Sequence, residues 1–247
     1  MSDTVQLPAA AGRSLRAVFL LVLAASVVLA ITIPASGLGV LSAISNYLQT
    51  FAAALGAVVC LVLWHAGGRA KQYLYAAGAF GIWAAANAAW YALVLFGMRN
   101  LVFPSLIDMG FLAFMFLLAS AYQFAFPRSR ISPKISLGLL VLIMILPVAI
   151  LITKGITAAT MMTFLYFFFA AALIIIGLAH SLTAKPLILA GTLAYCIAFT
   201  LYPLRETQLL APAGLSLLGS VAGPLTIASF SLIILGFLPC GCETSGE

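Results

Sequence analysis

Charge is what this chain has least of. Only 16 of its 247 residues are Lys, Arg, Asp or Glu, and five of those are acidic. In a soluble domain about a quarter of the residues are charged. Sixteen cannot cover a water-facing surface, which excludes a cytosolic enzyme, a secreted disulfide domain and a disordered segment. The lysines Lys71, Lys134, Lys154 and Lys185 fall between apolar runs. None is placed for a mid-membrane Schiff base, so a retinal protein is excluded. No Gly-rich phosphate loop or nucleophile elbow is present, and no Ser/His/Asp set shares one membrane face. Only two histidines occur, His65 and His180. A zinc hydrolase needs three protein ligands and an open position, and the one acidic candidate, Asp108, is expected at the opposite membrane face from both. Cysteine is scarce too. Cys60 and Cys196 sit singly inside apolar runs, where a thiol behaves as a small buried hydrophobe. Cys240 and Cys242 follow the last run and are too few for a closed zinc site.

What the chain has instead is apolar length. The apolar set makes up 65% of the residues, and the mean hydropathy is +1.23. A spanning helix takes about 20 apolar residues, so eight use roughly 160, close to the content here. A transmembrane β-barrel would show short alternating segments, and none alternates. Pro, Gly and charged residues divide the sequence into eight runs, at 17–33, 47–66, 73–96, 105–126, 135–153, 156–180, 187–204 and 217–238. Pro34 to Gly39 is read as the first break. The first run follows Arg13 and Arg16 like a signal peptide, but its core is long for one, and it is read as an uncleaved span.

The expected fold is therefore an all-α integral membrane protein with eight transmembrane helices in a cell membrane. With the N-terminus inside, inner segments hold Arg13, Arg16, Arg69, Lys71, Arg128, Arg130, Lys134 and Lys185, and outer loops hold Arg99, Lys154 and Arg205. Eight against three satisfies the positive-inside rule and leaves both termini cytoplasmic. The pI near 9.4 is then a topology signal, not a nucleic-acid footprint.

The chain also repeats itself. Leu63-Trp64-His65, Lys71 and Ala77-Gly78 match Leu178-Ala179-His180, Lys185 and Ala190-Gly191, and Phe126-Pro127 matches Leu238-Pro239. The offset is about 112 to 115 residues throughout. This spacing predicts a four-plus-four tandem duplication, residues 1–130 and 131–247, with both halves in the same orientation and a pseudo-two-fold axis along the membrane normal. His65 and His180 then fall at equivalent places. Paired imidazoles suit haem iron, but inner helix ends are also where amphipathic side chains anchor, and no cofactor is expected.

The third run carries the most polar character. Ala77, Gly81, Ala85 and Ala89 recur every four residues, a ridge expected to let another backbone approach. Trp83, Asn87, Trp90 and Tyr91 form a second face. Asn87 needs a partner, because an unpaired amide in hydrocarbon costs several kcal/mol. Phe103-Pro104-Ser105 opens the fourth helix, and Asp108, one turn in, is the only acidic residue within an expected span. An intramembrane carboxylate marks a candidate functional site. The structural alternative is that it offsets the helix dipole and accepts hydrogen bonds from Ser105 or Asn87. Its carboxylate is expected to point toward Asn87 or Trp90 on the third helix. Arg99 and Arg205-Glu206 lie on the same expected outer side, giving Asn87, Trp90, Ser105, Asp108 and Arg205 as the candidate ligand-binding set.

The series Gly78…Trp83…Asn87…Trp90…Gly97…Phe103-Pro104-Ser105…Asp108…Phe111-Leu112 resembles a pattern in polytopic membrane sensor modules that precede diguanylate cyclase, phosphodiesterase or histidine kinase domains. The resemblance covers about 50 residues of the third and fourth helices. It implies a non-enzymatic input module for a small ligand. The pattern often has Asp where this chain has Asn87, and no output domain follows within the 247 residues, so the signal is expected to pass to a separate kinase or cyclase. Two other classes stay open. Parallel repeats and the intrahelical prolines Pro147, Pro203 and Pro224 also occur in transporters. An intramembrane lipid-modifying enzyme shares the helix count, but its expected acidic motif is missing.

Overall fold

A computed structural model describes residues 9–36, 39–67, 69–96, 103–126, 131–181, 185–206 and 212–238. The described residues form eight α-helices and no strand: α1 (Ala9–Ser36), α2 (Gly39–Ala66), α3 (Lys71–Leu95), α4 (Leu106–Ala125), α5 (Pro133–Lys154), α6 (Ala158–Ser181), α7 (Pro186–Glu206) and α8 (Pro212–Phe237). Six of them, α1, α2, α4, α5, α6 and α7, are long and apolar enough to cross a membrane. Helix α3 carries Asn87, two tryptophans and several glycine and alanine residues in place of larger aliphatic side chains.

Helix boundaries follow local chemistry. Ser132 and Pro133 open α5, with Ser132 Oγ accepting from the Ile135 N–H and proline occupying the first turn, where an N–H is not needed. The α5–α6 turn forms at Gly155, whose φ of 78° suits a residue without Cβ. Thr157 and Thr160 then cap α6 by exchanging backbone N–H and hydroxyl bonds at 2.9 and 3.2 Å.

Two boundaries differ from the hydropathy reading. Helix α1 runs through Pro34 instead of ending there, and α2 begins at Gly39, eight residues before its apolar run. Pro34 is the third residue from the end of α1, so the hydrogen bond it removes lies at a terminus where little helix is lost. The early start of α2 is a matter of what its polar residues face. Ser45 and Gln49 are buried against α8, beside Gly223. A reading based on apolar runs cannot see a helical turn whose inward face is polar.

Helices α2, α3, α4, α6, α7 and α8 form a closed ring in that order, each packed on the next. Helix α1 lies mainly against α8, and α5 packs on α6 alone among the described helices. Large apolar side chains cover the outside, including Leu21, Ile31, Leu142 and Ile152. Water would oppose such a surface, whereas lipid tails do not. This is a membrane protein.

The ring interior is aromatic. Trp83 and Phe80 of α3, Phe114 of α4, Tyr195 of α7 and Phe230 of α8 meet edge-on, tilted or, for Tyr195 and Phe230, stacked, with centroids 4.6–5.9 Å apart. Within a membrane, burying apolar area does not drive helices together, so close packing must. The tight points are glycines. A Cβ at Gly110 would come within 2.7 Å of Ala86 Cβ, and one at Gly191 within 2.7 Å of both Ile233 Cγ1 and the Ser229 carbonyl. The predicted ridge on α3 is thus corrected. Ala77 is buried and Gly81 partly so, but Ala85 and Ala89 are exposed, and the close approach to α4 is made by Ala86 on Gly110. A strict four-residue spacing drifts around a helix of 3.6 residues per turn and leaves the interface after two turns.

A buried polar bond joins α4 to α7 across the ring. Thr192 Oγ1 donates to the Ile188 carbonyl at 2.7 Å, which leaves Tyr122 to donate its hydroxyl to Thr192 at 2.7 Å. Tyr122→Phe is expected to lower stability by about 0.6–1.7 kcal/mol, the range for interhelical hydrogen bonds in membranes. An unchanged unfolding midpoint in detergent would show that the bond is dispensable.

Candidate functional site

Polar side chains gather at one end of the ring, where α2, α4 and α8 begin and α3 and α7 finish. They surround a pocket of about 230 Å³. Asn46 and Gln49 of α2, Trp83, Asn87, Trp90 and Tyr91 of α3, Ser105, Asp108 and Phe111 of α4, Phe199 and Tyr202 of α7, and Gly223 and Thr226 of α8 line it. A cavity of about 150 Å³ holds benzene, so this one has room for a small organic molecule.

Asp108 stands at its edge, 1% exposed. The carboxylate folds back over the α4 N-terminus, accepting the Ser105 backbone N–H at 2.6 Å and the Ser105 hydroxyl at 2.9 Å through Oδ2. This satisfies a donor that the first helical turn would otherwise leave unpaired. Oδ1 accepts the Tyr166 hydroxyl of α6 at 2.8 Å. The expected direction of Asp108 is corrected here. Its bonds run to Ser105 and α6, not to Asn87 or Trp90, although all four line or adjoin the same cavity.

Asn87 is partnered elsewhere. Its Nδ2 donates to Thr50 Oγ1 of α2 at 2.6 Å. Thr50 bonds in turn to the Asn46 carbonyl at 3.3 Å, and Gln49 donates to Asn46 Oδ1 at 3.1 Å. Tyr91 stacks on Tyr47 at 5.3 Å, with its hydroxyl in reach of Asn87 and Asn46. One wall of the pocket is therefore an amide–hydroxyl network tying α2 to α3, and another is the carboxylate tying α4 to α6. Trp90 and Tyr91 meet edge to face at 5.0 Å, and Phe111 and Phe199 at 5.2 Å.

Of the candidate set, Asn87, Trp90, Ser105 and Asp108 come together in this pocket. The Arg205 side chain lies outside the described residues, as do Arg99, Cys240 and Cys242. His65 is exposed at the end of α2, and the His180 side chain is outside the described residues. Cys60 and Cys196 are buried and free, as their apolar surroundings suggested. Among the described residues no three His, Cys, Asp or Glu side chains cluster as metal ligands would.

Several contributors were missed in the sequence. Asn46, Gln49 and Thr50 sit at i, i+3 and i+4, a polar face on one side of a helix, but they straddle the start of an apolar run. Tyr166 is the single hydroxyl in the segment Phe164-Leu165-Tyr166-Phe167-Phe168-Phe169. One phenol among phenylalanines inside a membrane requires a polar partner, and that was the available signal. No family model, no curated protein and no solved structure matches this chain.

Proposed function

We propose that this chain is a non-enzymatic membrane sensor module that takes a small ligand in the pocket beside Asp108 and passes the signal to a separate protein, such as a kinase or cyclase. The observation that carries the reading is the composition of the pocket wall. Five helices line the pocket, and a sixth, α6, reaches it through the Tyr166–Asp108 bond. A ligand seated there touches both the α2–α3–α4 arc and the α7–α8 arc. Binding that favours one spacing of these arcs shifts their packing, which is what an input module must do to its partner. The resemblance of the segment from Gly78 to Leu112 to sensor modules points the same way.

In this reading the chain lies in the cell membrane with both termini cytoplasmic, and eight inner against three outer basic residues support that orientation. Because the pocket shares its end of the bundle with the start of α4, it then opens outward. The ring order supports the tandem duplication. Exchanging α2, α3 and α4 with α6, α7 and α8 turns every neighbouring pair of the ring into another neighbouring pair. Helices α1 and α5 depart from that symmetry, since α1 lies mainly on α8 and α5 on α6.

Transport is the second reading. Pro203 and Pro224 lie within α7 and α8, next to the lining residues Tyr202 and Gly223, and prolines in helices beside a binding site occur in transporters. Two experiments separate the readings. With Cys240 and Cys242 replaced by serine, Ser105→Cys is expected to react with an impermeant maleimide from outside intact cells, and Lys134→Cys only after permeabilisation. The reverse pattern overturns the orientation. Proteoliposomes containing the chain are expected to show binding without solute accumulation. Sustained uptake would replace the sensor with a transporter.

A further inference from the structure

We infer that the pocket selects an organic cation, an amine or quaternary ammonium of roughly the size of choline. The inference rests on reading the cavity as a ligand pocket and adds the chemistry of its occupant. Three features converge. The described lining holds a carboxylate, Asp108, and no Lys or Arg side chain. Aromatic rings from three different helices, Trp90 and Tyr91, Phe111, and Phe199 and Tyr202, line the same space. The remaining polar groups are amides, hydroxyls and the indole N–H groups of Trp83 and Trp90, which hydrogen-bond without adding positive charge.

An ammonium placed against aromatic faces is held by the ring quadrupoles, and more strongly where water is excluded. Neither an anion nor a neutral apolar molecule uses this combination well. An anion would meet Asp108, and an apolar molecule would leave the carboxylate unmatched. Asp108 Oδ2 is occupied by the two Ser105 donors, whereas among the described residues Oδ1 accepts from the Tyr166 hydroxyl. A carboxylate oxygen accepts two hydrogen bonds, so Oδ1 retains capacity for an ammonium N–H or a close electrostatic contact. The volume fits as well. At about 230 Å³ the pocket exceeds a benzene-sized cavity and has room for a cation of this size.

The test uses the intact chain in nanodiscs. Trp83 and Trp90 line the pocket, and the third tryptophan, Trp64, is removed by Trp64→Phe so that fluorescence reports on the site. The probes are choline, tetramethylammonium and 3,3-dimethylbutan-1-ol, the neutral carbon analogue of choline. The expected result is saturable quenching by both cations, with choline binding about tenfold or more tightly than its neutral analogue. Asp108→Asn and Phe111→Leu are each expected to weaken choline several-fold, and Phe111→Leu removes a ring without touching a hydrogen bond. Equal affinity for choline and the neutral alcohol overturns the cation proposal and leaves a ligand pocket in place. Tighter binding of the zwitterion glycine betaine than of choline overturns it too, and points to a basic group at the rim. If neither cation binds while Ser105→Cys still labels from outside, the cation proposal alone fails. If Ser105→Cys labels from neither side of the membrane, even after permeabilisation, the pocket reading fails with it.

Discussion

Asp108→Ala is expected to lower stability by about 2–4 kcal/mol, more than Tyr166→Phe or any other single polar deletion in the pocket. The substitution removes an acceptor shared by the Ser105 backbone N–H, the Ser105 hydroxyl and the Tyr166 hydroxyl. Each buried donor left unpaired costs about 1–3 kcal/mol in a soluble protein. Interhelical hydrogen bonds in membranes average only about 0.6 kcal/mol, because the unfolded chain also finds partners. The lower figure suits the Ser105 hydroxyl, which can rotate toward another acceptor. The higher one suits the Ser105 N–H, which is fixed by the backbone at the start of α4. Tyr166→Phe leaves Asp108 with both Ser105 donors, so about 0.6–1.7 kcal/mol is expected. Asp108→Asn keeps one acceptor oxygen and should fall between the two. The check is the order of thermal unfolding midpoints in one detergent. Equal midpoints for Asp108→Ala and Tyr166→Phe would mean that the α6 bond is the whole contribution and that the cap on α4 is not stabilising.

Gly191→Ala is expected to destabilise by about 1–3 kcal/mol, although alanine is the better helix former. A methyl there would lie 2.7 Å from the Ser229 carbonyl oxygen, 2.9 Å from the Ile233 amide nitrogen and 2.7 Å from Ile233 Cγ1. Two of those atoms belong to the α8 backbone and have no rotamer to change. Helices α7 and α8 must therefore move apart. Because Phe199, Tyr202, Gly223 and Thr226 lie on these two helices, the displacement should also reach the pocket and weaken whatever binds there. Gly138→Ala on α5 is the matched control, since a Cβ there meets nothing within 4 Å. It should be neutral or stabilising by up to about 1 kcal/mol through helix propensity alone. Thermal midpoints and the yield of monodisperse protein distinguish the two. A stabilised Gly191→Ala would show that α7 and α8 are less tightly seated than their geometry implies.

The sequence alone determined the class of this protein. Sixteen charges in 247 residues leave no route to a soluble surface, and the Pro, Gly and basic breaks marked eight helices. It also singled out the side chains least tolerable in lipid. Asp108 and Asn87 stand out because a carboxylate and an amide each demand a partner in hydrocarbon, and Ser105 because it opens a helix behind a proline. These signals are local, and local chemistry is what a sequence displays directly.

The partners were decided by tertiary structure alone. Asp108 bonds to Tyr166, 58 positions away, and Asn87 to Thr50, 37 positions away, and nothing in either neighbourhood encodes which helix will lie opposite. The polar face Asn46, Gln49 and Thr50 remained hidden because the rule that finds spans counts apolar residues, whereas the first turns of α2 owe their burial to contact with α3 and α8. The small-residue ridge was misplaced for a related reason. Spacing shows that α3 has small side chains, but only the crossing with α4 selects Ala86 as the point of contact with Gly110. In a membrane, apolar burial favours every helix pairing alike, so glycine contacts and polar bonds choose among them. Those choices are made between helices, at distances along the chain that no local pattern spans.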